Sequence, residues 1–439
     1  MPLRIGIVGG GIGGLTLAVG LSQIYLKTNL AELIEVDVYE SAPELTQIGA
    51  GITFWPRAWK ILEKLGLESE LVPHLLLGQH VPDGKPRLGF QIRKADQQEG
   101  GVPIHDLVFP GAALSFHRAV VQGALLKKLS PLIRCHLSAR LSSYHTEPYS
   151  AEIKLTFEDG KTATCDLLVG ADGLKSVVRK QFLADNRHPG QSFSADPVWS
   201  GTFAYRCMID SNLVAQRLPG HRALKTPTIY CGKNQHLVAY PILQGRIVNV
   251  AAYVSDMTKE GTPYEGPPFQ DVTKEEVMPF FEKWEEEVRL LVEHMERPSR
   301  WAIHAIQPLD SYSSDSVILL GDAAHAMTPH QGNGAGQAIE DAYILAHLIA
   351  KAVQTNKPIS ELNKVYDAIR RPFANSVHAA SRAHGLLYQF NASGFEDVAV
   401  GQQLGKERLE QLAELIVGDW EYAWMTTAEE DLVKGLAML

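Results

Sequence analysis

The sequence predicts an α/β fold in which a parallel-sheet domain is assembled from three separated stretches, interleaved with a β-sheet domain and followed by C-terminal helices. Two observations carry this prediction. The chain opens as strand, glycine turn, helix and strand, with an apolar run over residues 4–8, helical periodicity over 15–26 and a second strand over 36–40. Two more short apolar runs, 166–171 and 316–320, have the composition of strands buried in a parallel sheet, yet lie far from the first unit. The stretches between them are β-rich and broken by Gly and Pro. The assigned boundaries are 1–72, 111–190 and 301–395 for the parallel-sheet domain, 73–110 and 191–300 for the β-sheet domain, and 396–439 for the helical extension.

Taken in order, residues 58–65 form a second helix, since Ile61, Leu62 and Leu65 recur at helical spacing. Over 73–110 the composition turns to Gly, Pro and charged residues, which punctuate short strands with turns. Residues 118–129 return to a helical pattern. Runs at 202–208, 228–231, 236–241 and 247–254 predict an antiparallel sheet, assigned to substrate binding. A helix from near Gly336 to about Val353 follows the glycine-rich loop after 316–320. Residues 401–439 are mostly helical, with Trp420 and Trp424 at helical spacing. Packing, cover over a pocket mouth and a homodimer contact are the roles open to these two indoles.

A chain of 439 residues with 45% hydrophobic content exceeds the size of one core and suits a large cofactor. A net charge of −9 and the lack of a Lys/Arg-rich run leave no field for nucleic acid, so small molecules are the expected partners. Cys135, Cys165, Cys207 and Cys231 form no CxxC pair, so neither a metal site nor a dithiol centre is expected, and reduced thiols fit a cytoplasmic protein. No signal peptide and no apolar run near the roughly 20 residues of a membrane span are seen.

Gly9, Gly11 and Gly14 have the GxGxxG spacing between a strand and a helix. In that context Gly9 permits a tight turn, Gly11 lets the backbone approach a pyrophosphate, and Gly14 allows close packing. The helix N-terminus then favours the bound anion. Glu40 ends the second strand, where a carboxylate accepts hydrogen bonds from an adenosine ribose. It lies 26 positions beyond Gly14, so an extended helix or loop around 27–33 is expected. NAD and FAD both satisfy this fingerprint.

Two later segments carry a resemblance that selects FAD. Asp166-Leu-Leu-Val-Gly170-Ala-Asp172-Gly173-Leu-Lys-Ser176-Val-Val-Arg179 resembles the Asp-Gly motif of flavoprotein monooxygenases. Gly321-Asp322-Ala-Ala-His325, followed by Pro329 and Gly332-Asn-Gly334-Ala-Gly336, resembles their Gly-Asp motif. The family is the group A aromatic hydroxylases, with the para-hydroxybenzoate hydroxylase fold, and the resemblance covers most of residues 3–385. Salicylate hydroxylase-like enzymes are the most similar subgroup. Ile48-Gly49-Ala-Gly51-Ile52 resembles their flavin-side loop, His117-Arg118 their His-Arg pair, and Pro329-His330-Gln331-Gly332 matches them too.

The resemblance implies a Rossmann-type FAD-binding domain. Asp322 would contact the ribitol, Arg118 the FAD, and Pro329, Gly332, Gly334 and Gly336 the pyrophosphate and ring, with Gly51 and Asp172 in the same cofactor site. Where many relatives have asparagine after a proline, this chain has Trp55-Pro56-Arg57-Ala58. Arg57 is thus a contact to FAD or substrate, or a surface packing residue.

The resemblance also implies that NADH or NADPH, as a transient co-substrate, reduces FAD. Dioxygen then gives a flavin C4a-hydroperoxide that hydroxylates a phenolic or hydroxybenzoate-type aromatic, with decarboxylation where the attacked carbon bears a carboxylate. Such a site must exclude water and favour an ionised phenol. Arg206, His236 and Tyr240 are the candidates: 236, 238 and 240 share a strand face, and Arg206 would lower a phenol pKa. His330, in the loop expected to cross the flavin ring, suits proton transfer. The structural alternatives are a surface ion pair for Arg206, core packing for Tyr240, a structural role for His236 and a loop-ordering hydrogen bond for His330. His325 is read as stabilising the flavin loop. An FAD-dependent epoxidase, a dearomatising hydroxylase and a flavin-bound redox sensor are competing functions. A flavin halogenase is disfavoured because its Trp-x-Trp-x-Ile-Pro signature is absent.

Overall fold

The structure is a computed structural model that describes residues 1–45, 51–76, 79, 81–111, 113–146, 152–186 and 195–439. Its first unit is the strand Leu3–Val8, the helix Ile12–Lys27 and the strand Ile34–Tyr39. A short 3-10 turn, Asn29–Glu32, fills the interval that delays Glu40. Five strands form one parallel sheet in the order Val317–Leu319, Leu167–Gly170, Leu3–Val8, Ile34–Tyr39 and Arg134–His136. Neighbours in this sheet come from distant parts of the chain, as the two isolated apolar runs predict.

The sheet is buried because its strands are apolar on both faces. Ile5, Ile7, Leu167, Leu168, Val169, Ile318 and Leu319 share one core with Leu15, Leu17, Val19 and Leu21 of the first helix. Ile344, Leu345, Leu348 and Ile349 of the long helix Gly334–Gln354 complete it.

An eight-stranded sheet forms the second layer, in the order Phe269–Asp271, Ser299–Ala305, Val198–Asp210, Ile247–Ser255, Gln235–Ile242, Thr228–Gly232, Pro86–Lys94 and Val102–Pro110. The four runs expected to form an antiparallel sheet do so, and Thr228–Gly232 pairs on its other side with Pro86–Lys94 in parallel. These last two strands belong to separate stretches, so no hairpin constrains their relative direction. Ser299–Ala305 carries the sheet past residue 300. A three-stranded antiparallel sheet, Leu141–Thr146, Ile153–Phe157 and Thr162–Cys165, lies in sequence between the parallel strands Arg134–His136 and Leu167–Gly170, and no motif announces it.

A 30-residue helix, Ile359–Tyr388, runs through Pro372. The C-terminal helices Lys406–Gly418, Tyr422–Met425 and Ala428–Met438 fold back onto the body, the last against Gly334–Gln354 and Ile359–Tyr388. Among the described residues no helix is long and apolar enough to cross a membrane.

The glycine turn is sterically enforced. Gly9 has φ +110°, and a Cβ there would lie 2.2 Å from the Ala171 carbonyl oxygen; a Cβ on Gly14 would lie 2.0 Å from that of Gly9. Gly14→Ala is expected to destabilise the chain by about 1–3 kcal/mol, the usual cost of overpacking, read as a lowered urea midpoint at unchanged slope.

Candidate active site

At the C-terminal ends of the parallel strands, the turns after Val8 and Gly170 and the loop after Leu320 open a cleft of about 490 Å³. Gly9, Gly11, Glu40, Arg118, Asp172, Asp322, Pro329, Gly332 and Gly334 all line it. Gly14 and Gly336 stand behind the lining, Gly14 beneath the glycine turn and Gly336 against Asn333. Gly51 lines the neighbouring cavity instead. Ile48, Gly49 and Ala50 of the flavin-side loop lie outside the described residues.

The cleft presents unmatched donors. The helices Ile12–Lys27 and Gly334–Gln354 both start on it with no side-chain cap and no acidic residue in the first turn. Their first N–H groups are left for an anion. Arg118 Nε is buried with no partner among the described residues. Burial lowers this guanidinium from its ordinary value, with Asp322 opposing. A buried unpartnered charged donor costs free energy until an acceptor arrives, and a cofactor pyrophosphate has the required charge and oxygens. The residues present therefore fit FAD.

Glu40 is fixed at the rim. Its carboxylate accepts from the Gly10 N–H at 2.7 Å and the Ala42 N–H at 2.7 Å. Asp172 accepts from Ser176 Oγ and from the N–H groups of Val177 (2.7 Å) and Val178 (3.1 Å), so it caps the helix Val177–Asp185. Burial raises its carboxyl above the usual range against those bonds. Arg179, also buried, donates to the carbonyls of Leu174, Asp322 (3.4 Å) and Ala323 (3.2 Å), which ties the Asp-Gly segment to the Gly-Asp segment.

Behind Gly321 lies a buried charge network. Asp341 Oδ2 accepts from the Gly321 N–H at 3.0 Å and lies 2.6 Å from His325 Nε2, while Oδ1 accepts from Arg370 Nε at 2.7 Å. Glu340 Oε2 accepts from Arg370 (3.2 Å) and from Arg57 Nε (2.9 Å). Arg57 continues to Thr426 Oγ1 at 2.6 Å and to Asp431. Neither expectation for Arg57 holds: it is only 3% exposed, and its donors go to carboxylates and a hydroxyl, because pairing is what makes a buried guanidinium tolerable. Burial raises the Asp341 carboxyl, but His325 and Arg370 outweigh it and hold the group at about 2.

A smaller cavity of about 160 Å³ shares Pro329 and Gly332 with the cleft. Ile52, Trp55, Phe90, Ile229, Val238, Ala251 and Trp420 form its apolar walls, and Arg206 is its one charged side chain among the described residues. Strand pleating brings the polar groups together. Tyr240 pairs with Asn249, Val238 with Ala251, and Ala251 with Arg206 across neighbouring strands, so these residues and Tyr253 share one face. Arg206 Nε is buried and unpartnered among the described residues, and its guanidinium lies 5.7 Å from the Trp301 ring. Burial pushes the Tyr240 hydroxyl up to about 12, with Tyr253 adding to this and Arg206 opposing it; Tyr253 is also raised by burial against Arg206.

The rings of His236 and His330 meet edge to face at 5.1 Å, but only His330 is in the cavity lining. Burial lowers His330 to about 3. His236 stands behind the wall, stacked on Tyr253 at 4.4 Å with Nδ1 3.1 Å from Gln389 Nε2, and burial takes it well below the ordinary value. Asn249, Tyr253, Trp55 and Phe90 are wall residues that sequence reasoning does not single out as site residues, and Trp420, for which pocket cover was one open role, lines the same cavity. The alternation 249, 251, 253 on the predicted strand was the signal available for two of them.

A dinucleotide cleft opening through one loop onto a small aromatic-walled cavity defines a flavin-dependent monooxygenase. A family model described as an FAD binding domain matches residues 130–381. Salicylate hydroxylase from Pseudomonas putida is 34% identical over 448 aligned residues, covering 100% of this chain and 96% of the relative. 6-Methylsalicylate 1-monooxygenase from Aspergillus terreus is 34% identical over 393, covering 89% and 84%. A solved salicylate hydroxylase substrate complex superimposes with a TM-score of 0.81 at 29% identity, covering 99% and 98% of the two chains. The chain belongs to the family of salicylate hydroxylase-like, FAD-dependent aromatic monooxygenases.

Arg118→Ala is expected to weaken FAD binding to the apoprotein at least about tenfold, the loss of one charge-assisted hydrogen bond, measured by quenching of flavin fluorescence. Arg118→Lys should restore part of it. The Asp341 carboxyl is depressed on folding, so its stabilisation is complete above the unfolded value of about 3.9 and lost as pH falls through about 2. Asp341→Asn should remove this part of the acid-unfolding curve, as followed by circular dichroism.

Proposed function

We propose that this enzyme hydroxylates a small hydroxybenzoate-type aromatic with NADH or NADPH and dioxygen, releasing carbon dioxide when the attacked carbon bears the carboxylate. The observation that carries the reading is Arg206, the one charged side chain among the described residues of an aromatic-walled cavity beside the cofactor cleft. One cation in apolar surroundings selects an anionic aromatic. Three relatives support it by name: those from Pseudomonas putida, Aspergillus terreus and Streptomyces platensis act on salicylate, 6-methylsalicylate and 3-amino-4-hydroxybenzoate. A single GxGxxG suits a nicotinamide that binds only transiently, and four unpaired cysteines suit a reducing cytoplasm.

When bound, FAD supplies reduction by the nicotinamide and activation of dioxygen. The chain's own residues prepare the aromatic. Arg206 stabilises the ionised phenol or carboxylate. Tyr240, held protonated by a value near 12, donates to a substrate oxygen rather than removing a proton. His330, at about 3, is a weak base whose ring packs edge to face on His236 and Tyr253, so the phenol loses its proton to bulk solvent before binding and Arg206 favours the ionised form. The apolar walls exclude water.

With heavy-isotope dioxygen, FAD, nicotinamide and a panel of hydroxybenzoates, one labelled oxygen in the product is expected, with or without loss of carbon dioxide. Hydrogen peroxide as the sole product across the panel counts against the reading. Arg206→Ala should raise KM about tenfold or more, since hydrogen bonds to a charge are worth roughly 1.5–3 kcal/mol, while FAD stays bound. An unchanged KM would remove Arg206 from substrate recognition.

A further inference from the structure

We infer that Trp420, from the C-terminal extension, is a specificity-determining residue that sets the size of the aromatic the cavity admits. This rests on the aromatic-substrate reading above. Trp420 lines the cavity and is 1% exposed. Its ring packs at 4.7 Å from Trp55, 6.2 Å from Phe90 and 5.0 Å from His384. Ile229, Val238 and Ala251, three of the other walls, project from the eight-stranded sheet and are fixed by its ladder. Trp420 is the wall contributed by the C-terminal extension, and with Trp55 it is the bulkiest side chain there.

The chain on both sides of the indole is anchored. Directly before it, the Asp419 carbonyl accepts from Gln331 Nε2 at 3.0 Å. Just after it, the Tyr422 hydroxyl donates to Gln331 Oε1 at 2.9 Å and accepts from Asn333 Nδ2 at 2.7 Å. Farther on, Arg57 clamps Thr426 and Asp431. The segment is thus tied on both sides of Trp420 to the loop that divides the cavity from the cleft. A ring fixed in this way does not swing aside for a larger ligand, because close-packed walls resist displacement. In a cavity of about 160 Å³, the indole leaves room for one benzene ring with small substituents.

The test compares dissociation constants of salicylate and of the bicyclic 1-hydroxy-2-naphthoate for the FAD-loaded protein, read from perturbation of the flavin absorbance spectrum. Wild type, Trp420→Leu and the more conservative Trp420→Phe are measured, with flavin content and thermal unfolding recorded for each. The wild type should prefer salicylate. Both variants should shift the naphthoate-to-salicylate affinity ratio at least tenfold toward the larger ring, with Trp420→Phe keeping the aromatic core intact if Trp420→Leu fails to fold. An unchanged ratio in a folded, flavin-loaded variant, alongside a wild type that binds salicylate, overturns the assignment of Trp420. A wild type that binds neither ligand nor any hydroxybenzoate overturns the substrate reading instead.

Discussion

Two buried arginines and two buried carboxylates, Arg57, Arg370, Glu340 and Asp341, hold four helices to one another and to the loop at Gly321. Each charge is expensive to bury alone and acceptable only with its partners in place. The arrangement therefore tolerates one docking of Pro56–Lys64, Gly334–Gln354, Ile359–Tyr388 and Ala428–Met438, the last reached through Asp431. Gly321 and His325 are positioned by the same carboxylate, so the Gly-Asp loop inherits its place from this network.

The two cavities differ in their electrostatics. The cleft offers N–H groups and an unpartnered guanidinium, an environment for phosphates. Among the described residues the smaller cavity offers one cation, two phenols kept protonated and an imidazole kept neutral by burial. Binding an anion in the second therefore changes its net charge, whereas its hydrogen-bonding groups do not titrate near neutral pH. Among the described residues, Pro329 and Gly332 line both spaces, and Arg118 of the cleft lies within the field of Arg206 of the cavity.

The cofactor side was legible because its chemistry is done by backbone, which leaves traces as glycines at fixed offsets. Gly9, Gly11, Gly332 and Gly334 line the cleft for that reason, whereas Glu40 was found from its place at a strand end and Arg118 and Asp322 from the motifs around them. The substrate side depends on side chains brought together by register. Arg206 and Tyr240 stood out as polar residues on strands, while Asn249 and Tyr253 were hidden in an otherwise apolar run and His236 was placed one residue pair too near the cavity. Arg57 was misread because its partners lie 283 and 374 positions away, beyond any local pattern. The parallel pairing of Thr228–Gly232 with Pro86–Lys94 was invisible for the same reason.

The sheet order also has a consequence for how the chain reaches this structure. The central strand Leu3–Val8 lies beside Leu167–Gly170, which in turn needs Val317–Leu319 as its outer neighbour. Every such pairing closes a loop of well over a hundred residues, and strand pairing of that range is slow. During synthesis the first βαβ unit waits, with its apolar sheet edge uncovered, until Leu167–Gly170 has emerged from the ribosome, and that strand waits in turn for Val317–Leu319. Arg57 waits longer still, for Asp431, so a chain stopped short of its last helix has a partly built network with a charge left over, the kind of intermediate that quality-control proteases remove.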